Sequence, residues 1–217
     1  VPIVYEVDRI RDGKSFTTRR VVGIQHGRAI FNLQVSFHAD ERGPDHQDPM
    51  PEVAAPEELP TLAQTMERFR DRFSPELAEW LVRERPIDQR PTELPSWLEP
   101  GPRAPDQDVW IRTNGDLPDD PMLHACIVCY ASDLTILDTA MLPHGHSYRE
   151  DEFMMASLDH AMWFHRPFRA DEWLLYHQHS QSAYAARGIS QGLIFQRDGK
   201  LVVTVVQEGL MRPMHRS

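Results

Sequence analysis

The chain is poor in cysteine, in positive charge and in long apolar runs, and each shortage excludes something. Only two of its 217 residues are cysteine, Cys126 and Cys129. No disulfide framework is implied, and a reducing, cytoplasmic setting is the simpler expectation. Against 33 Asp and Glu stand 23 Lys and Arg, a net charge of −10, which argues against a general binder of nucleic acid or of an anionic membrane surface. An anionic substrate would need a local arginine cluster. No apolar run approaches the roughly 20 residues of a spanning helix, so membrane insertion is not expected. The chain also opens without an initiator methionine, on the strand-like Val1-Pro2-Ile3-Val4-Tyr5. The expectation is that the beginning of a domain is missing from it.

What is present centres on Asp119 to Gly145. Asp120 suits an N-cap and Pro121 the first helical position. Met122, Ala125, Cys126, Cys129, Tyr130, Asp133, Ile136 and Leu137 then share one helix face, expected to be buried. Asp133 is its one charged member. A carboxylate there costs several kcal/mol, as an order of magnitude, unless it is hydrogen-bonded. A structural pairing explains it as readily as a catalytic role.

Strands are expected at 3–10 and 15–25, joined at Asp12-Gly13, and along Phe31 to His38, where Phe31, Leu33, Val35 and Phe37 alternate onto one buried face. An acidic, proline-rich passage from Ala39 to Pro60 reads as linker, and 61–73 and 75–84 as short helices. Pro86 to Pro105 reads as irregular, with a strand at Asp108 to Arg112. Beyond the long helix, strands are expected at 152–166, 172–178, 186–196 and 201–209, the last two joined at Asp198-Gly199. The two halves echo each other weakly: with Gly27 set on Gly199, Phe31 meets Val203, Leu33 meets Val205 and Val35 meets Gln207. Gln207 is thus polar at an inward position, and Ser157 shares a face with Phe153 and Met155. Each alone is more often an edge residue or a satisfied core polar group than a site residue. With Asp133 they form a candidate acid–amide–hydroxyl set.

The runs DPMLHACIVCYASDLTILDTAMLPHG, SLDHAMWFHRPFRADEWLLY and GKLVVTVVQEGLMR resemble the acyl-CoA thioesterase II family, and RDGKSFTTRRVVGIQHGRAIFNLQVSF resembles the strands of that family's first half. The resemblance covers nearly the whole chain, except 39–60 and 91–107. It implies an α+β double hotdog fold, each unit a long helix wrapped by an antiparallel sheet. Residues 1–38 would be strands of a first unit lacking its N-terminal part, 39–84 a linker with short helices, and 85–217 the second unit carrying the catalytic residues. It implies hydrolysis of fatty acyl-CoA to free acid and CoA, no cofactor, and a homo-oligomer, dimer or tetramer. The family's Asp, Thr or Ser, and Gln fall on Asp133, Ser157 and Gln207, with Ser at 157 where well-known members carry Thr.

A thioester carbonyl is electrophilic enough for direct attack by water, with Asp133 as base and Gln207 and Ser157 as orienting groups. No G-x-S-x-G elbow surrounds Ser157 to make it a nucleophile. Arg166, Arg169 and Arg187 are candidate contacts for the CoA phosphates, or equally solvated surface residues. His177 with His179, and His144 with His146, have ligand-like spacing but no recognisable third ligand, so no metal is expected. Cys126 and Cys129 read as packing residues. Two other readings stand beside hydrolysis: an acyl-CoA hydratase or dehydratase using a His/Asp pair, with His160 as the suspect, and a non-catalytic acyl-CoA binding module.

Overall fold

The computed structural model describes residues 1–96, 98–99, 101–145 and 153–214, and leaves out the side chains of residues 80 and 81. The chain divides into two compact units, Val1–His46 and Gln47–Ser217. The passage expected as linker with short helices is shared between them: 39–46 lies in the first and 47–84 in the second.

The first unit is an antiparallel meander of β1 (Val4–Asp12), β2 (Phe16–Gln25) and β3 (Arg28–His38). Its turns fall where glycine permits them. Gly13 N–H bonds back to Phe16 O at 2.9 Å, and His26-Gly27 both adopt positive φ, 52° and 71°, the backbone of a tight hairpin. The alternation is as expected but the burial is not. Phe31, Leu33 and Phe37 are 50, 42 and 43 % exposed, because this unit contains three strands and no helix to cover them.

In the second unit, α1 (Leu62–Arg68) starts in a capping box between Thr61 and Gln64, and α2 (Pro75–Leu81) starts on Ser74. Seven antiparallel strands form one sheet. The order is β4 (Ile87–Pro91), β5 (Asp106–Thr113), β8 (Leu174–Tyr184), β9 (Arg187–Gln196), β10 (Leu201–Pro213), β6 (Phe153–Ser157), with β7 (Ala161–Phe164) also on β10. Strand β4 lies in the stretch read as irregular. Its polar Asp88, Gln89 and Arg90 and its closing Pro91 gave no alternating signal, and they suit the sheet edge it occupies. The single strand expected at 152–166 is two, β6 and β7, broken at Leu158–His160; residue 152 lies outside the described part.

Both faces of this sheet are covered. On one, Trp110, Trp173, Leu175, Phe195 and Leu201 pack with Met50, Val53 and Leu59. Trp110 Nε1 donates to Ala54 O at 2.9 Å, and Gln47 donates to Gly199 O and accepts from Leu201 N. The proline-rich passage from 47 onward is therefore a strap docked on the sheet. On the other face lie α3 (Pro121–Ser132) and α4 (Ile136–Thr139), over Val109, Ile111, Leu174, Tyr176, Ile194, Val203 and Val205. The expected long helix is thus interrupted at Asp133–Thr135. Pro121–His144 does reach membrane-spanning length and apolarity, contrary to the sequence reading. Here its buried stripe lies against the sheet.

That stripe is also not the expected one. His124, Val128, Ala131 and Ser132 are buried in α3, whereas Met122 and Tyr130 are more than half exposed and both cysteines are exposed and unpaired. Residues 122–131 are apolar nearly all round, so periodicity could not select the face that meets the sheet.

Candidate active site

Three elements distant in sequence meet at the C-terminal end of α3. Asp120 caps its start, accepting from Met122 N at 2.9 Å. Its end is held by Tyr176 of β8, whose Oη donates to Ser132 O at 3.1 Å. Burial, with the nearby Asp133 charge, pushes the Tyr176 phenol well up, so it stays a neutral donor. Gly192 on β9 makes room for this ring: a Cβ there would lie 2.1 Å from Tyr176 Cε2. Asp133 follows directly, with φ −83° and ψ −12°. Its side chain is 52 % exposed, so it is not the buried carboxylate expected but a group accessible to solvent.

The second element is the break between β6 and β7. Glu208 O accepts from Leu158 N at 2.9 Å, and Glu208 N donates to Asp159 Oδ1 at 2.8 Å. This clamp ends β6 and leaves Ser157 and His160 on either side of the third element, Gln207 of β10, which is 1 % exposed.

Asp133, Ser157 and Gln207 form a continuous chain. Gln207 Nε2 donates to Ser157 Oγ at 3.0 Å, and Ser157 Oγ donates to Asp133 Oδ1 at 3.1 Å. The acid and hydroxyl face solvent while the amide is enclosed. Two further members join it: His160, which the sequence offered only under the hydratase reading, and Ser132, which it did not single out. His160 Nδ1 bonds to Gln207 Oε1, and its Nε2 lies 2.9 Å from Ser132 Oγ. Ser132 is also 3.0 Å from Cys129 O. Their signals were weak: Ser132 precedes Asp133 on the helix, and His160 follows Ser157 by three residues.

The arginines divide. Arg169 binds Asp171 through Nε and Nη2 at 3.0 and 2.9 Å, Asp119 at 3.0 Å and Leu117 O at 3.0 Å; its donors are committed to holding the loop before α3. Arg166 donates to Leu201 O. Arg187 pairs with Glu208 at 3.2 Å, beside Gln207 in sequence, and is half exposed. His177 and His179 bind Asp108 and Asp106 at 2.9 and 2.6 Å; the Asp108 hydrogen bond raises the His177 pKa. Among the described residues no three His, Cys, Asp or Glu gather as metal ligands, and His146 lies outside them. A concavity of about 630 Å³ lined by Thr92, Glu99, Arg103 and Asp106 is separate from the Asp133 chain and rich in carboxylate.

The acyl-CoA thioesterase family profile matches residues 78–210, which includes every residue of this site. The chain belongs to the acyl-CoA thioesterase family. It is 40 % identical over 220 residues to acyl-coenzyme A thioesterase 8 of Mus musculus, covering 98 % of this chain and 68 % of that one. The crystal structure of the acyl-CoA thioesterase II TesB2 from Mycobacterium marinum superposes with a TM-score of 0.78 at 42 % identity, over 98 % of this chain and 74 % of that one. A hot dog fold protein from Alicyclobacillus acidocaldarius, at 15 % identity and a TM-score of 0.75 over 98 % and 74 %, agrees in fold alone. The α+β hotdog fold expected from the sequence is shown, with the first unit holding strands but no helix among its described residues, and so is thioester hydrolysis as the family's chemistry. Neither hydration nor mere binding is favoured. In this thioesterase both His160 nitrogens are hydrogen-bonded to protein groups of the site, Gln207 and Ser132.

Proposed function

We propose that the chain hydrolyses acyl-CoA by direct attack of one water, with Asp133 as general base and Ser157 and Gln207 as the groups that position it. The observation that carries this is the hydrogen-bonded run from enclosed Gln207 through Ser157 to solvent-facing Asp133. A carboxylate reached by water on one side and fixed by a hydroxyl on the other is held in one orientation, which is what general-base catalysis needs.

In the reaction the water oxygen bonds to the thioester carbonyl carbon while its proton passes to Asp133. The tetrahedral intermediate then expels CoA as thiolate, and the proton on Asp133 goes to the leaving sulfur. Ser157 is assigned as an orienting group and not as the nucleophile: its oxygen accepts from Gln207 Nε2, and among the described residues no histidine contacts it. Arg187 is the most accessible of the three candidate arginines for a CoA phosphate, since Arg169 is already committed.

Asp133→Asn in the full chain keeps size and hydrogen bonding but removes the proton acceptor. Release of free thiol from acyl-CoA should fall by roughly 10²–10⁴-fold, the usual worth of a positioned base. Ser157→Ala and Gln207→Ala should cost less, since each only orients. A folded Asp133→Asn protein with wild-type turnover would refute the assignment.

A further inference from the structure

We infer that His160 is a positioning residue for this hydrolysis: it fixes which way round the Gln207 amide sits, and thereby the direction of every hydrogen bond from there to Asp133. The inference rests on the site reading above. An amide presents a donor at one end and an acceptor at the other, in nearly the same shape, and its own packing does not choose between them. The neighbours must choose.

Gln207 has two, Ser157 Oγ and His160 Nδ1. Ionised Asp133 only accepts, so the single Ser157 proton is needed there, and Ser157 can then only accept from Gln207 Nε2. That turns Gln207 Oε1 toward His160, whose Nδ1 must carry a proton. With the amide reversed, Nε2 would face Nδ1, Ser157 would give its proton to Oε1, and Asp133 would lose its hydroxyl partner. His160 with Nδ1–H excludes the reversed state.

The ring's other nitrogen has a neighbour that can meet this requirement. Neutral imidazole with Nδ1–H needs a donor at Nε2, and Ser132 Oγ stands there at 2.9 Å. Ser132 is fully buried, and its carbonyl is pinned by Tyr176. If the ring gains a second proton, the Ser132 hydroxyl can turn to Cys129 O, 3.0 Å away, and accept from Nε2–H while Nδ1–H stays on Gln207. The direction of the chain is the same in both states. His160 Nδ1 is 4.0 Å from Asp133 Oδ1 and makes its hydrogen bond to the amide, so it acts through Gln207.

The experiment compares His160→Phe with His160→Asn in the full chain, following thiol release from medium- and long-chain acyl-CoA. Phe keeps a ring without donors; the Asn amide can place an N–H where Nδ1 was. His160→Phe should lower kcat roughly 5–150-fold, the range expected when a buried amide end loses its partner, with KM little changed. His160→Asn should recover most of it, and His160→Phe should cost nothing further in a Gln207→Ala background. Wild-type kcat in His160→Phe, equal impairment in the two variants, or additive losses with Gln207→Ala would each overturn the inference. If His160→Phe does not fold, His160→Leu carries the test: it likewise offers no donor to Gln207 Oε1 and should lower kcat several-fold, and an unchanged kcat would overturn the proposal. Failure of the site reading looks different, since Asp133→Asn and Gln207→Ala would then themselves keep activity.

Discussion

Strands β3 and β10 carry the same alternating pattern and meet opposite fates. Phe31 and Leu33 are about half exposed, while Val203 and Val205, their counterparts in the internal echo, are fully buried. Alternation decides which residues share a face; a covering layer decides whether that face is a core. In the second unit α3 and α4 supply the layer, and in the first unit none exists. The same difference gives Gln207 its meaning. An amide on a covered face must find partners, and it finds Ser157 and His160, whereas Val35 opposite it in the echo asks for none.

The sharpest way to break this comparison is to put a charge on each face. Val205→Asp places an unpaired carboxylate in the core and should cost several kcal/mol, on the order of 3–5, enough to unfold a marginal domain. Leu33→Asp at the matched exposed position should stay within about 0.5 kcal/mol. Denaturant unfolding of the two variants checks this. Equal losses would mean that the first sheet's apolar face is covered in solution.

A smaller effect is expected from matched glycines. At Gly192 an added Cβ would meet Tyr176 atoms at 2.1 and 2.8 Å, while at Gly23 it would meet Phe31 Cβ at 3.3 Å and Tyr5 Cε1 at 3.4 Å. Gly192→Ala should therefore lose about 1–3 kcal/mol through overpacking. It should also reduce turnover, because Tyr176 holds the carbonyl of Ser132 beside Asp133. Gly23→Ala needs only a few tenths of an ångström of give and should be near neutral. Thermal melts with a thiol-release assay separate the two, and a Gly192→Ala enzyme of full stability and activity would show that Tyr176 does not fix the helix end.

These contrasts also explain what could be read from the sequence. The turns at Asp12-Gly13 and Asp198-Gly199 and most strands were legible, because local chemistry specifies them. Asp133, Ser157 and Gln207 were legible as polar residues in apolar patterns and as family motifs. The face of α3 was not, because an all-round apolar helix carries no phase. The break at Leu158–His160 was not, because it depends on Glu208, some 50 residues away, clamping Leu158 and Asp159. His160 and Ser132 were therefore invisible as partners: their role exists only once that break and the helix end are brought against β10.

The smallest expected effect concerns ion pairs, and it again sets the two units apart. In the first, Arg19 meets an Asp12 whose side chain is 63 % exposed; in the second, Arg169 holds an Asp171 that is 8 % exposed. The Arg169 hydrogen bond, helped by Leu117 N–H, lowers the Asp171 pKa to about 2. Unfolded, an aspartate titrates near 3.9, on the order of two units higher. Between those values the unfolded chain binds the extra proton, so stability rises with pH across this window. The contribution of Asp171 is thus complete above about pH 4 and is lost as pH falls through 2. Asp171→Asn should lower the melting temperature at neutral pH and flatten the decline between pH 4 and 2, whereas Asp12→Asn should leave both unchanged, as exposed pairs contribute little. If the acid limb keeps its slope in Asp171→Asn, Arg169 is not committed to this pair, and it returns, with Arg187, to the arginines available for CoA.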